Sequence, residues 1–322
     1  MITGGAGYIG SNLSYKFLEN RFNVFVIDDL STGNKKLVSP KVNFYKLDFA
    51  EIKKIKNIIR KNNIKNIFHL AAKADATDSK KNPKEYLENN FYKIKKFLRM
   101  CNNLKIENFF FASSAAVYGD CKKLPINENY ITKPLNPYGE SKLLAENFIK
   151  KYCLRNKIKF IIFRFFNVSG ADVKLRSGSI NSKTSGLIKK ICEQILRKRK
   201  KITIFGDNYN TKDGTCVRDY IHVSDVVDLI YKSFEKRKKL KNLIFNCCTG
   251  KGYTVKDVVN ITEKISGDKV KKIISKINRG EIPSSIGNNA LIKKKLGSYK
   301  FKNLKKIIFT SLKWEKKIIN YL

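Results

Sequence analysis

Long apolar runs are missing from this 322-residue sequence. Stretches such as Phe160-Ile161-Ile162-Phe163 stop after a few residues, here at Arg164, far short of the roughly 18 that a membrane-spanning helix needs. Linkers are missing too: no low-complexity tract and no Pro/Gly/Ser-rich stretch divides the chain. Its length therefore folds as one large domain or two smaller ones. No secretory signal is read, since Met1 leads straight into a glycine-rich turn. The seven cysteines are odd in number and contain no CxxC pair, which speaks against a disulfide framework and for a reducing compartment. Cys247-Cys248 follow an apolar run and read as buried residues, not nucleophiles. Histidine is nearly absent. His69 and His222 stand in different segments without metal-ligand spacing, so no metal site is expected and both read as packed or hydrogen-bonded residues. The expectation is a soluble, cytoplasmic protein that does not enter a membrane.

Acidic residues are also scarce, 27 against 67 basic ones, for a net charge of +40. Such a balance admits nucleic acid or an anionic surface as a partner. Yet the basic residues are 56 Lys and only 11 Arg, and Lys lacks the bidentate fork that base-edge readout favours. The lysines are spread along the whole length among Asn, Ile, Phe and Tyr, as an AT-rich coding sequence produces. No specific nucleic-acid partner is expected.

What is present begins at the first residues. Thr3-Gly4-Gly5-Ala6-Gly7-Tyr8-Ile9-Gly10 is followed by an amphipathic stretch to Glu19 and an apolar strand from Phe22 to Ile27, ending in Asp28-Asp29. Gly4, Gly7 and Gly10 permit a tight turn whose amides approach a pyrophosphate, with a helix N-terminus behind it. The acid closing the second strand is placed for an adenosine ribose and repels a 2′-phosphate, which predicts NAD over NADP. The alternation continues through strands at 42–47, 66–70 and 108–112 with helices between, which predicts a parallel, doubly wound α/β sheet. Only Met1 and Ile2 precede the glycine turn, where a central strand runs about five residues. The expectation is a shortened or misassigned start, with lower stability and weaker cofactor retention if the shortening is genuine.

Asn136-Pro137-Tyr138-Gly139-Glu140-Ser141-Lys142 opens another helix, with Asn136 as N-cap and Pro137 as first helical residue. Tyr138 and Lys142, four apart, share one face. An ammonium beside a phenol favours the phenolate, so the pair reads as a base and its activator. Further on, 187–200, 224–234 and 254–265 read as helices, 202–205 and 243–246 as strands, and 304–322 as a terminal amphipathic helix.

Together these motifs resemble the extended short-chain dehydrogenase/reductase family, and its nucleotide-sugar 4-epimerase branch. GGAGYIG, Asp28-Asp29, LDF at 47–49, HLAA at 69–72, SSAAVYG at 113–119, PYGESK at 137–142, FFNVSGA at 165–171 and above all FGDNYNTKDGTCVRDYIHV from Phe205 to Val223 carry the likeness over nearly the whole chain. The resemblance implies a Rossmann domain over 1–170, to which a later strand returns, and a smaller mixed α/β substrate domain over 171–322, closing a cleft on the cofactor. It implies Ser114, Tyr138 and Lys142 as catalytic residues. Cofactor contacts fall on Tyr8, Ile9, Asp28, Asp29, Leu30, Ser31, Thr32, Gly33, Asp48, Phe49, Leu70, Ala71, Ala72, Lys73, Ala74, Asn89 and Phe166, besides the glycines, Tyr138 and Lys142. Substrate contacts fall on Ser114, Tyr138, Asn167, Phe205, Arg218 toward the diphosphate, Arg279, Glu281 near the uridine ribose, and Ser285 beside the sugar. The implied activity is interconversion of UDP-glucose and UDP-galactose by a homodimer with NAD, and Ser285 extends it to UDP-GlcNAc/UDP-GalNAc. Arg279 is displaced by one position from the family's usual arginine, with Asn278 in its place, Gly186 stands where Asn or His is common, and Ala116 replaces a common Thr. Two rivals remain: another epimerase of the family, acting on UDP-GlcNAc or a uronate, and a non-catalytic NAD-binding or basic nucleic-acid-binding protein. Ala115-Ala116 after Ser114 argue against the dehydratases, which place acids there.

Overall fold

The computed structural model describes residues 1–180, 186–198, 201–277 and 281–319. The chain forms two units, one from Met1–Asp120, Asn129–Phe165 and Val227–Phe245, the other from Cys121–Glu128, Phe166–Val226 and Asn246–Leu322.

The first unit is built on a seven-stranded sheet. Its strands are β1 (Ile2–Thr3), β2 (Phe25–Asp28), β3 (Asn43–Lys46), β4 (Asn66–His69), β5 (Asn108–Ser114) and β6 (Lys159–Phe165), with β10 (Leu243–Cys247) at one edge. The spatial order is β10-β6-β5-β4-β1-β2-β3, and the pairs from β6 through to β3 are parallel. Strands covered on both faces are apolar throughout, and Phe109, Phe110 and Phe111 in β5 and Phe160 to Phe163 in β6 are all buried. The helices are α1 (Tyr8–Glu19), α2 (Ile52–Lys61), α3 (Ala76–Lys81), α4 (Pro83–Leu87), α5 (Lys93–Met100) and α6 (Pro137–Arg155), with a π-helical turn at Glu88–Tyr92. Ile55 and Ile59 of α2, Ile94 and Phe97 of α5 and Ile149 of α6 join the strand residues Ile67, Phe109 and Ile162 in one core. Asn136 caps α6 by accepting from the Gly139 N–H at 2.9 Å, and Pro137 follows at the first helical position.

The second unit holds β7 (Asn167–Ser169), β8 (Lys201–Phe205), β9 (Val217–His222), β11 (Gly252–Thr254), β12 (Lys271–Ser275) and β13 (Ser284–Ser285). β9 is central, flanked by β11 and β13 and paired with β7, while β8 and β12 form a separate ribbon. The helices α7 (Leu187–Leu196), α9 (Val255–Ser266), α10 (Ala290–Leu296) and α11 (Leu304–Ile319) complete it, and α8 (Val223–Glu235) runs on from β9. Ile188, Ile191, Val258, Val259, Ile307 and Ile308 form its core. Thr254 and Asp257 make a reciprocal capping box at the start of α9.

The units are not successive halves. Residues 121–128, read from sequence within the first half, belong to the second unit because their backbone is bonded there. Ile126 N–H donates to Ile286 O at 2.8 Å, Asn288 N–H donates to Ile126 O at 2.7 Å, and Asn246 N–H donates to the Glu128 carboxylate at 2.8 Å. The strand that returns to the sheet is β10, with α8 leading into it. Among the described residues no helix is long and apolar enough to cross a membrane.

Candidate active site

In parallel sheets ligands gather where the strands end at their carboxyl side. At that edge of the first unit lie the glycine turn after β1, the loop after β2, Asp48-Phe49 after β3, Leu70 to Ala74 after β4 and Ser113-Ser114 at the end of β5. The turn requires its glycines. Gly4 has φ +71°, and a Cβ on Gly10 would lie 2.1 Å from the Gly4 carbonyl oxygen, so α1 can sit this close to the turn only with a bare backbone there. α1 opens on Gly7 with no side-chain cap and no acid in its first turn, which leaves its positive end suited to an anion.

The two acids after β2 have separate tasks. Asp28 is buried, and its carboxylate accepts from the Ala6 N–H at 2.8 Å and the Leu30 N–H at 2.9 Å. Burial pushes its carboxyl up against the pull of those two donors. It therefore braces the glycine turn against the following loop. Asp29 is exposed and holds the loop by accepting from the Ser31 N–H at 2.9 Å and the Ser31 hydroxyl at 2.7 Å. Of the pair, Asp29 is the one presented outward. Thr32 is exposed, and Leu30 and Gly33 are half-buried in the same loop. Asp48 is engaged by Lys93 and by the Ala50 N–H, with Phe49 buried beside it against His69.

Asn90, which no sequence motif singled out as a site residue, knots the edge together. Fully buried, it accepts from the Lys73 N–H at 2.9 Å and donates to Lys73 O at 2.9 Å and to Ser141 Oγ at 3.1 Å. It thus fixes the 70–74 loop to α6. Asn89 donates to Asn90 from the same π turn at 3.1 Å, and the Lys73 ammonium pairs with Glu85. A π turn re-aims side chains that a regular helix would not bring together.

The three expected catalytic residues converge. The Ser114 side chain lies close enough to the Tyr138 phenol to favour its phenolate. Lys142, 2% exposed, donates from Nζ to Ala112 O at 2.8 Å. Burial raises the Tyr138 phenol above its ordinary value while the Ser114 contact lowers it. Burial draws the Lys142 ammonium down to about 7, and the Glu146 carboxylate opposes that. His69, hydrogen-bonded through Nδ1 to Thr3 Oγ1 at 2.8 Å, is buried and held down at about 3 by burial and by the charge of Lys142. His222 is likewise packed, with Thr310 at 3.0 Å and the Ser224 N–H at 3.0 Å.

In the second unit β9 carries Arg218, opposite Ser285 of β13 in the strand register. Arg218 forms an ion pair with Glu281 and donates to Val217 O at 2.8 Å. The family resemblance places these two side chains on different parts of a nucleotide, the diphosphate and the uridine ribose; in the structure they pair with each other. The next residue, Asp219, is fully buried and accepts from the Thr249 N–H, the Thr249 hydroxyl and the Gly250 N–H at 2.7 to 2.8 Å. Asn167 starts β7 opposite Tyr220 and is exposed, Phe166 is buried just before it, and Phe205 closes β8 with half of its surface exposed. Arg279 lies outside the described residues.

Sheet, cradle and Tyr138 define the class, a doubly wound α/β enzyme that works with a dinucleotide. More particularly, the chain belongs to the NAD dependent epimerase/dehydratase family, whose model matches residues 1–248. It is similar to the UDP-glucose 4-epimerase of Azospirillum brasilense, 33% identical over 320 residues, covering 99% of this chain and 92% of that protein. The UDP-glucose 4-epimerase of Lactobacillus helveticus is 34% identical over 318 residues, covering 98% and 96%. Among solved structures, the UDP-glucose-4-epimerase from Stenotrophomonas maltophila with bound NAD and formylated UDP-arabinopyranose matches with a TM-score of 0.95 at 26% identity, covering 100% of this chain and 98% of that one.

Proposed function

We propose that this protein interconverts UDP-glucose and UDP-galactose, using NAD that it keeps through the cycle. The observation that carries the reading is the meeting of Ser114, Tyr138 and Lys142 at the end of β5, on the edge that holds the glycine turn. The donor set fits the dinucleotide: a bare turn under an uncapped helix for the pyrophosphate, and the outward Asp29 for the adenosine ribose, where it disfavours a 2′-phosphate. When bound, NAD supplies a hydride acceptor and donor.

Tyr138 takes the proton from the sugar 4′-hydroxyl, and Ser114 hydrogen-bonds the same oxygen and relays the proton. Lys142 holds positive charge near the phenolate and grips the nicotinamide ribose. Oxidation at C4 leaves a planar 4-keto sugar. With the diphosphate anchored by Arg218, the sugar turns over, C4 is reduced from its other face, and Tyr138 returns the proton. No net oxidation results, so turnover needs no added NAD. The test is conversion of UDP-glucose to UDP-galactose by the purified protein without added cofactor, and its loss in Tyr138→Phe. Turnover surviving in that variant would remove Tyr138 as the base.

The protein is further proposed to act in the cytoplasm as a homodimer. Its seven cysteines are free, as in a reducing compartment. A monomeric mass in sedimentation would overturn the dimer.

A further inference from the structure

Three consecutive residues of β5 tie α6 to the sheet. Ser114 faces the Tyr138 phenol, Ala112 O receives the Lys142 ammonium, and the Ser113 hydroxyl donates to the Glu146 carboxylate. Tyr138, Lys142 and Glu146 stand at i, i+4 and i+8, which places them in a row on one helix face. The first two contacts belong to the reaction proposed above; the third does not.

Glu146 is 0% exposed, and its carboxylate is held on both oxygens by Arg164 of β6, Nε to Oε1 at 3.0 Å and Nη2 to Oε2 at 2.7 Å. Arg164 lies opposite Ser113 in the strand register, and its guanidinium rests 4.7 Å from the centre of the Tyr118 ring. Burying an ion pair costs its hydration, and apolar residues of similar volume often stabilise a core as well. A charged pair at this point calls for a use other than packing. The groups around Lys142 are Tyr138 and Glu146 from its own helix, His69 from β4, and from β5 the Ala112 carbonyl and the Phe111 ring, 5.0 Å from Nζ. Arg164 of β6 lies behind Glu146. Among these groups Glu146 alone carries a negative charge.

We propose that Glu146 is a positioning residue for the epimerisation, a carboxylate clamped by Arg164 and Ser113 one turn from Lys142 that keeps the ammonium charged beside Tyr138. This rests on the function proposed above. Burial works to strip the proton from Lys142, and the carboxylate one turn away works to retain it. Without that carboxylate Lys142 is neutral at physiological pH, and the phenolate of Tyr138 loses its nearest fixed cation.

The test is the pH dependence of kcat/KM for UDP-glucose, measured on the NAD-loaded enzyme, in Glu146→Gln and in the double variant Glu146→Gln/Arg164→Gln. The double variant leaves no charge unpaired and decides the matter if the single one fails to fold. In Glu146→Gln the acidic limb moves upward by about one pH unit, so that kcat/KM falls about tenfold at pH 7 and recovers at higher pH, and the double variant moves it the same way by less because the Arg164 charge leaves with the carboxylate. KM changes little, since Glu146 touches no substrate. An equal loss at every pH, or an unmoved limb, overturns the proposal and leaves Glu146 a packing residue. Tyr138→Phe measured alongside separates the two readings: if it abolishes turnover while the Glu146 variants keep the wild-type limb, the clamp fails and the epimerase reading stands. If Tyr138→Phe still turns over, the reading beneath the clamp has failed first.

Discussion

At Tyr138 the protein works against its own chemistry. Burial raises the phenol, and the contact that lowers it comes from Ser114. One of the three N–H donors of Lys142 goes to the Ala112 carbonyl, and its influence on Tyr138 is that of a nearby charge. Replacing Lys142 by Met keeps the packed stem and removes that charge. The expected outcome is a kcat lower by roughly 10² to 10⁴, with the circular-dichroism spectrum unchanged; a variant retaining full kcat would sink the role given to Lys142. Tyr138 and Lys142 were legible in the sequence because their relation is local, a fixed spacing on one helix. Arg164 and Asn90 were not. Arg164 reads as the residue that ends an apolar run, and its partner Glu146 lies 18 positions away on another element. Asn90 and Lys73 are 17 apart and meet only through a π turn, for which spacing gives no signal.

At the scale of elements, the chain announces its helix starts and its glycine turn because those depend on neighbours. Asn136 and Thr254 cap α6 and α9 as their residue types predict. The same logic distinguished poorly between Asp28 and Asp29, since adjacent acids at a strand end look alike until the fold turns one inward. α1 offers a direct check on the cradle. A methyl at Gly10 would meet the Gly4 carbonyl at 2.1 Å, so Gly10→Ala must part helix and turn. The expected result is a protein that folds but purifies with most of its NAD lost and with a Tm lower by several degrees, consistent with an overpacking cost of about 1–3 kcal/mol. Absorbance of released cofactor reads the first effect and calorimetry the second. Unchanged NAD content would remove the close packing of helix and turn from the account of cofactor binding.

For the whole molecule, two buried imidazoles set a pH limit. His69 and His222 are each held at about 3 in the folded protein, chiefly by burial, against 6.5 as the ordinary value. Below pH 6.5 the unfolded chain binds protons that the native state refuses, so stability falls as pH falls through the range from 6.5 toward 3. The expected loss between pH 7.5 and 5.5 is on the order of 1 kcal/mol per histidine, measured by urea unfolding, and His222→Gln should show the smaller loss. Equal losses in the two proteins would remove His222 as a source.

Because β10 comes from residues 243–247 yet borders β6, synthesis on the ribosome completes six strands of the sheet long before the seventh exists. Until then one side of β6 is a raw flank of unpaired amides and carbonyls, able to recruit any extended neighbour. A nascent chain halted near residue 170 should thus be a client for chaperones and precipitate when freed. Aggregation should cease only in chains that reach past Cys247. For a cell making this protein, translation speed across 171–247 is then a determinant of yield.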